Sequence, residues 1–573
     1  MGMKKKFIVL LCFIPGVFII KTTNAQYLEK KNYTQQYFQW PVGAKIALVA
    51  NFGELRPNHY HMGLDCRTEQ VENKPVLAAA DGYIAKVKIE PWGFGRALYV
   101  NHPNGLTSLY AHLNDFYPAL ENYIKQQQYN LESWNVFLDI PAQLFTVKKG
   151  ERIAFSGNTG GSQGPHLHFE IRDTKTDKVI NPLLLGFPIA DNIAPDILRL
   201  AVYDRCISTY EQTPKIYFLQ KVNGVYMPPA GKILVNTEKV SFAITAFDRY
   251  SGSTNQNGIY EAILYADENP IAGFQMDSIT YGETRYLNAH IDYKFRAGGG
   301  SWLQHLSRLP GNRDAIYKTD ENNGIVNLRT NEEQTVKITV ADPNENTSTV
   351  KFKIAMTAFS GTRTASSAMQ QKQFHPEFIN VFENERIQFY LGENALYDSF
   401  NFRYNETKDI KGNIVYQVHN ATVPLHTYFN LKIKPDFIVT DTGKIIMYRF
   451  YGAKKDYKKA INYNGWYQAA FREMGNFQLL ADSIPPVVRP LGFTNGMNAA
   501  RLVRLLFIVT DNTEEIKKFT ATLDGKWLRF SNDKGRNFIY KFDERCSPGR
   551  HELIITAEDQ VGNITQKKYN FTR

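Results

Sequence analysis

Residues 164–171 read GPHLHFEI, a glycine–proline turn followed by a stretch in which apolar and polar side chains alternate. Alternation with period two marks a strand that buries one face. Leu167 and Phe169 are then expected in a core, while His166 and His168 project together from the opposite face with Glu170 beside them. The chain holds only 12 histidines in 573 residues. Two of them on one side of a strand form either a solvated pair or half of a site, and the neighbouring sequence decides which.

The same punctuation runs through residues 27–188. Short apolar runs (KIALVA, KPVLAAADGYIAKVKI, RALYVNH, TSLYAHL, RIAFSG, HLHFEI) are separated by glycine-rich turns, which predicts an antiparallel all-β unit. One stretch breaks the pattern. In LENYIKQQQYNLESW (120–134), Leu120, Tyr123, Ile124, Gln127 and Leu131 fall at helical spacing without glycine or proline. This predicts a helix of about three to four turns inside an insert, Tyr117 to Thr146.

Beyond Pro182 the character changes. DNIAPDILRLAVYD (191–204) and DSIPPVVRPLGF (482–493) read as two copies of one linker-and-first-strand unit. Each has a later strand that ends in an Asp turn, TVKITVADPNENTSTVKF (335–352) and HELIITAEDQVGNITQKKY (551–569). The second resembles the closing hairpin of bacterial immunoglobulin-like domains, with Gly562 supplying the turn's positive φ. The expected architecture is mainly β. It consists of an antiparallel β unit over 26–190 with the helical insert 117–146, immunoglobulin-like β-sandwiches over 191–358 and 482–573, and a β-rich unit without a nameable motif over 359–481. FSGTRTASSAMQQKQ (359–373) reads as a linker.

The first 25 residues form a separate object. Lys4, Lys5 and Lys6 precede the apolar run Phe7 to Ile20, and Thr23-Asn24-Ala25 follows. The run is short for a membrane span, so a cleaved secretory signal is expected, with an uncleaved N-terminal anchor as the alternative, and export to the periplasm or cell envelope, or secretion, is expected. The formal charge is +11, with four lysines in that leader, which leaves a mildly basic chain suited to an acidic envelope polymer. Lysine and arginine form no dense patch, so nucleic acid is not an expected partner. Four cysteines exclude a disulfide framework and a cysteine-rich zinc module, and leave a Cys206–Cys546 bridge open.

Upstream of HLH stands HMGLD, residues 61–65. On an extended segment His61 and Asp65 share a face, with Gly63 leaving room between them for an ion. Two histidines and an aspartate make a zinc set with an open fourth position. Such a site carries net positive charge, acidifies water and polarises a carbonyl. His112, in LYAHL, reads on its own as a core histidine. His59 reads as rim, His102 as structural and Cys66 as core. Arg56 and Asn58 are candidate cleft residues, and Trp92 and Phe94 are groove wall or core.

The His-x-x-x-Asp element, YAHL, GNTG…GPHLHFEI and Asn181-Pro182 occur in the same order in lysostaphin-like (LytM-type) zinc endopeptidases of peptidoglycan, which this chain resembles over about 44–183. The resemblance implies zinc held by His61, Asp65 and His168, with His112 and His166 as catalytic histidines. It also implies hydrolysis of a peptide cross-link or bridge. No HExxH element is present to supply a glutamate base. The chain departs from the compact family pattern in the insert of about thirty residues after YAHL and in the long β tail. Some members of the family have lost ligands and activate other cell-wall enzymes, so the alternative is a silent envelope scaffold that binds through its β units. The tail is expected to meet an envelope or protein partner, and 26–190 is expected to fold and act without it. Oligomeric state stays open.

Overall fold

The computed structural model describes residues 27–330, 332–357, 372–535 and 537–573. The expected signal sequence and most of the linker 359–373 lie outside the described residues. Among the described residues no helix is long and apolar enough to cross a membrane.

Alternation in the first third produces an antiparallel sheet. Its strands are β1 (Leu48–Ala50), β2 (Leu64–Arg67), β3 (Gly82–Ile89), β4 (Arg96–Asn101), β5 (Leu106–Ala111), β6 (Val136–Asp139) and β7 (His166–Asp173). They are arranged β1-β2-β7-β5-β4-β3-β6, so β7, which carries HLH, lies between β2 and β5. Leu167 and Phe169 are fully buried in a core with Val87, Tyr110 and Ile153. A small second sheet sets the Arg152–Ser156 strand between Pro75–Leu77 and Leu113–Phe116.

The insert supplies both a helix and a strand. Helix α1 (Pro118–Asn130) begins with a proline in its first turn, where the missing N–H costs nothing. It buries Leu120, Ile124 and Gln128, one residue per turn along a single stripe. Leu120 and Ile124 enter the peptidase-unit core, and Glu121 pairs with Arg96. The helix stops before the expected Leu131–Trp134, because Leu131 turns outward and is exposed. The chain then returns as β6, antiparallel to β3, a strand the sequence reading did not anticipate.

The remainder is β throughout. Residues 196–356 form a five-stranded sheet and an eight-stranded sheet, 380–481 two five-stranded sheets, and 487–572 a three-stranded and a four-stranded sheet. The fold is therefore mainly β, with antiparallel pairing dominant. Cys66, Cys206 and Cys546 are free. Cys546 packs in the core of the last unit while Cys206 contacts Thr237, so the Cys206–Cys546 bridge is absent.

The peptidase unit does not end cleanly at its β tail. Phe52, Tyr60 and Met62 belong to the core of the 196–356 unit, together with Phe242, Phe274 and Ile338. Val179–Ile180 pairs with Ser278–Ile279 and continues the main sheet into the next unit. Asn51 Nδ2 donates to the Gly258 carbonyl, whose N–H donates back to Asn51 Oδ1. Residues of 26–190 thus help complete the core of their neighbour.

Candidate active site

Register brings the site together. In β7, His168 stands directly opposite Asp65 of β2 on one side and Ala111 of β5 on the other. Side chains of directly opposed residues share a face, so the Asp65 carboxylate meets the His168 ring without any loop. His61 reaches the same point from the segment before β2. At Gly63 a Cβ would stand 2.5 Å from the Phe169 carbonyl and 3.0 Å from His168 Cε1. The missing side chain thus makes room for β7 and the His168 ring, where the sequence reading expected it to make room for an ion.

His61 Nε2 lies 2.9 Å from Asp65 Oδ1 and 3.0 Å from His168 Nδ1, and His168 Nδ1 lies 3.0 Å from Asp65 Oδ1. All three residues are less than a tenth exposed. Their outer contacts fix the tautomers. His61 Nδ1 is 2.7 Å from the Asn51 carbonyl, to which it donates. His168 Nε2 is 2.9 Å from Glu170 Oε1, to which it donates. Each ring is left with an unprotonated nitrogen facing the other and a carboxylate oxygen. Three mutually facing lone pairs at this spacing require a cation or shared protons, and a cation held by two imidazoles and a carboxylate matches a zinc donor set.

The electrostatics agree. Burial works against ionisation of Asp65, yet His61, His166 and His168 hold it well below the usual carboxylate range. Burial also opposes a charge on His168, but its bonds to Asp65 and Glu170 raise it to about 9. Glu170 is fully buried. Desolvation is its largest penalty, but the Arg172 guanidinium, whose Nε donates to Glu170 Oε2 at 2.7 Å, together with His168 and the Tyr281 hydroxyl keeps Glu170 below its ordinary value.

His112 and His166 complete the cluster, with rings 4.9 Å apart in an edge-to-face arrangement. His112 Nδ1 is 2.8 Å from the Thr159 carbonyl, and His166 Nδ1 is 2.8 Å from the Gly164 carbonyl. Both rings are thereby tethered through Nδ1, and His166 Nε2 turns toward the cluster, 3.3 Å from Asp65 Oδ1. Burial, followed by the neighbouring His168 and His166, pulls His112 down to about 3, so it is neutral at physiological pH. His112 holds φ at 61° where the chain leaves β5 for the small sheet. A non-glycine residue there is strained, and such strain concentrates at functional positions.

Of the other candidates, Phe94 packs 5.9 Å from the His168 ring and its carbonyl accepts from the His112 N–H. Arg56 lies 3.6 Å from Asp65 Oδ2. Trp92 is 58% exposed. His102 is tied to the Asp81 carbonyl and Ser108 and is structural, Cys66 is core, and His59 is exposed at the rim. Asn58 accepts from Asn288 and faces the next unit instead of the cleft. The sequence reading missed Asn51, Glu170 as a ligand-orienting partner, and Tyr281, whose hydroxyl donates to Glu170 Oε1. Glu170 alone left a signal, as the third polar residue on the HLH face.

The last unit reaches the same region. Asp533 Oδ1 accepts from the Gly160 N–H at 2.7 Å, and Lys534 Nζ donates to the Ser162 carbonyl at 2.9 Å. The Lys534 N–H donates to the Pro91 carbonyl, and Gly535 lies against Trp92. Residues 533–535 therefore bridge two loops, 91–95 and 158–162, that border His112 and His166.

A family model described as Peptidase family M23 matches residues 59–129 and 143–182, and one described as Zu5-like domain matches 371–482. An uncharacterized metalloprotease of Haemophilus influenzae is 30% identical over 182 residues, 30% of this chain and 32% of the relative. DD-carboxypeptidase/endopeptidase Mpg of Neisseria meningitidis is 35% identical over 128 residues, 22% of this chain and 23% of the relative. The chain thus spans about a third or less of these relatives' length. The catalytic domain of lysostaphin from Staphylococcus simulans aligns at 23% identity, with a TM-score of 0.17, over 23% of this chain and 86% of that one.

Proposed function

Residues 59–129 and 143–182 form a peptidase family M23 domain, and from that premise we propose that the chain is an exported zinc endopeptidase cutting peptide cross-links or bridges of peptidoglycan. The observation that carries the reading is the tautomer-fixed convergence of His61, Asp65 and His168 beside two further tethered histidines. His61 Nε2, Asp65 Oδ1 and His168 Nδ1 would hold zinc, which supplies a Lewis acid able to acidify water and polarise an amide carbonyl. The rest of the chemistry falls to the chain itself. His112 and His166 would accept the proton of the attacking water at Nε2 and return it to the leaving amine, each held in place through Nδ1. Phe94 and the buried His168–Glu170–Arg172 chain exclude bulk water on the β7 side. The presence of all five residues favours an enzyme over a silent scaffold.

Digestion of purified cross-linked peptidoglycan, followed by product mass analysis, tests this. Zinc-loaded protein is expected to release uncross-linked fragments whose summed mass exceeds the parent's by one water per bond cut, and a chelator is expected to stop it. Cross-links left intact by zinc-loaded protein would favour the scaffold.

A further inference from the structure

The duplicated Asp-rich motifs of the β tail have no part in peptide hydrolysis, yet the fold gathers each into a cluster. Asp191, Asp248 and Asp342 offer carboxylate oxygens within 4.8 Å of one another, and Asp482, Asp511 and Asp559 do the same in the last unit. Two of the three residues are held alike in both clusters. Asp342 Oδ1 accepts from the Asn344 and Asn346 N–H groups at 2.8 and 2.9 Å; Asp559 Oδ1 accepts from Val561 and Asn563 at 2.9 and 2.8 Å. Asp191 and Asp482 each use Oδ1 for the N–H two residues on, at 3.1 Å in both.

What remains after these turn bonds is informative. Asp248 is 1% exposed, and neither of its carboxylate oxygens has a hydrogen-bond partner. Asp191 Oδ2, Asp482 Oδ2 and Asp511 Oδ1 are also buried without partners. Among the described residues, no lysine, arginine or histidine forms an ion pair with any of the six carboxylates. Burial, followed by the charges of Asp191 and Asp342, pushes Asp248 up to about 8. Three carboxylates facing one another without a counter-charge are costly unless something positive lies between them.

We propose that each immunoglobulin-like unit binds one calcium ion at its root, through Asp191, Asp248 and Asp342 in the first and Asp482, Asp511 and Asp559 in the last. Oxygen-only donors select a hard cation. Calcium accepts an irregular set of about six to eight oxygens, whereas magnesium demands a near-ideal octahedron and keeps its waters, so a carboxylate cluster built on turns suits calcium. Each ion would lock a junction, since Asp191 and Asp482 lie on the segments that enter their units. The first also stands close to the peptidase site. Asp248 and Asn257 exchange backbone hydrogen bonds, Gly258 exchanges two with Asn51, and the Asn51 carbonyl holds His61.

The full chain, stripped of metals and supplied with one equivalent of zinc, is titrated with calcium chloride by calorimetry. Two calcium ions per chain are expected, one in Asp248→Asn, one in Asp511→Asn, and none in the double variant. Zinc content and far-ultraviolet dichroism are expected to stay unchanged in all three. Each variant removes a buried charge without changing shape, so folding should persist. An absence of calcium uptake at millimolar concentration would overturn the proposal and leave Asp248 as a buried, protonated acid. Two sites persisting in the double variant would overturn it equally.

Discussion

Each of the four histidines at the site gives one ring nitrogen to an oxygen: His61 to Asn51, His168 to Glu170, His112 to Thr159 and His166 to Gly164. That commitment decides which nitrogen is free, and so it predicts the effect of altering the outer partner. Glu170→Gln keeps an acceptor but loses the charge that orients His168 and pairs with Arg172. Zinc affinity should fall about 10- to 100-fold, read by competition with a chromogenic chelator. Gly63→Ala forces a Cβ against the Phe169 carbonyl, so β2 and β7 must separate. It should cost roughly 1–3 kcal/mol in denaturant unfolding and lower zinc content as well. The meeting of His61, Asp65 and His168 was legible because strand alternation and the HMGLD and GPHLHFEI motifs place those side chains on one face. Asn51 was not, because it acts through a backbone carbonyl that any residue could supply.

The insert shows what an element adds beyond its pattern. Helical spacing revealed α1, but β6 was hidden, since only Val136 of its four residues is buried and no alternation announces an edge strand. The outer face of α1 docks the last unit. Lys125 Nζ lies 3.0 Å from Asp543 and 2.9 Å from Glu544, the Tyr129 hydroxyl donates to Asp543, and Arg529 donates to Gln128. Replacing 120–140 by a Gly-Ser linker would strip Leu120 and Ile124 from the core as well as this dock, and so should destabilise the protein. A cleaner test is Lys125→Glu, which leaves the buried stripe intact and sets like charges against Asp543 and Glu544. Limited proteolysis should then release the 482–573 unit faster while the melting of the peptidase unit stays the same.

At the scale of the molecule, the units share cores and contacts. The Tyr60 hydroxyl donates to Asp314 of the next unit at 2.9 Å, and burial pushes that carboxyl up to about 7. A raised carboxyl stabilises fully below its ordinary value, and the contribution is lost as pH rises to about 7. Asp314→Asn should therefore gain stability relative to the unaltered chain between pH 5 and pH 8; parallel melting curves would refute the assignment. Residues 533–535, seated on loops 91–95 and 158–162, should limit access to His112 and His166. Asp533→Ala with Lys534→Ala should raise kcat/KM on intact peptidoglycan more than on short peptides, at unchanged zinc content. The two-copy organisation of the tail was legible from its repeated Asp-rich segments. The shared core was not, because Phe52, Tyr60 and Met62 look in sequence like any unit's own apolar residues.

The division of labour within HLH is the central claim, and one paired measurement reaches it: zinc per chain and peptidoglycan hydrolysis rate in His166→Ala and His168→Ala. The structure predicts that His168→Ala loses both metal and activity, while His166→Ala keeps about one zinc per chain and loses about 10²–10⁴-fold in rate. Zinc lost from His166→Ala and retained in His168→Ala would contradict it and reverse the two roles.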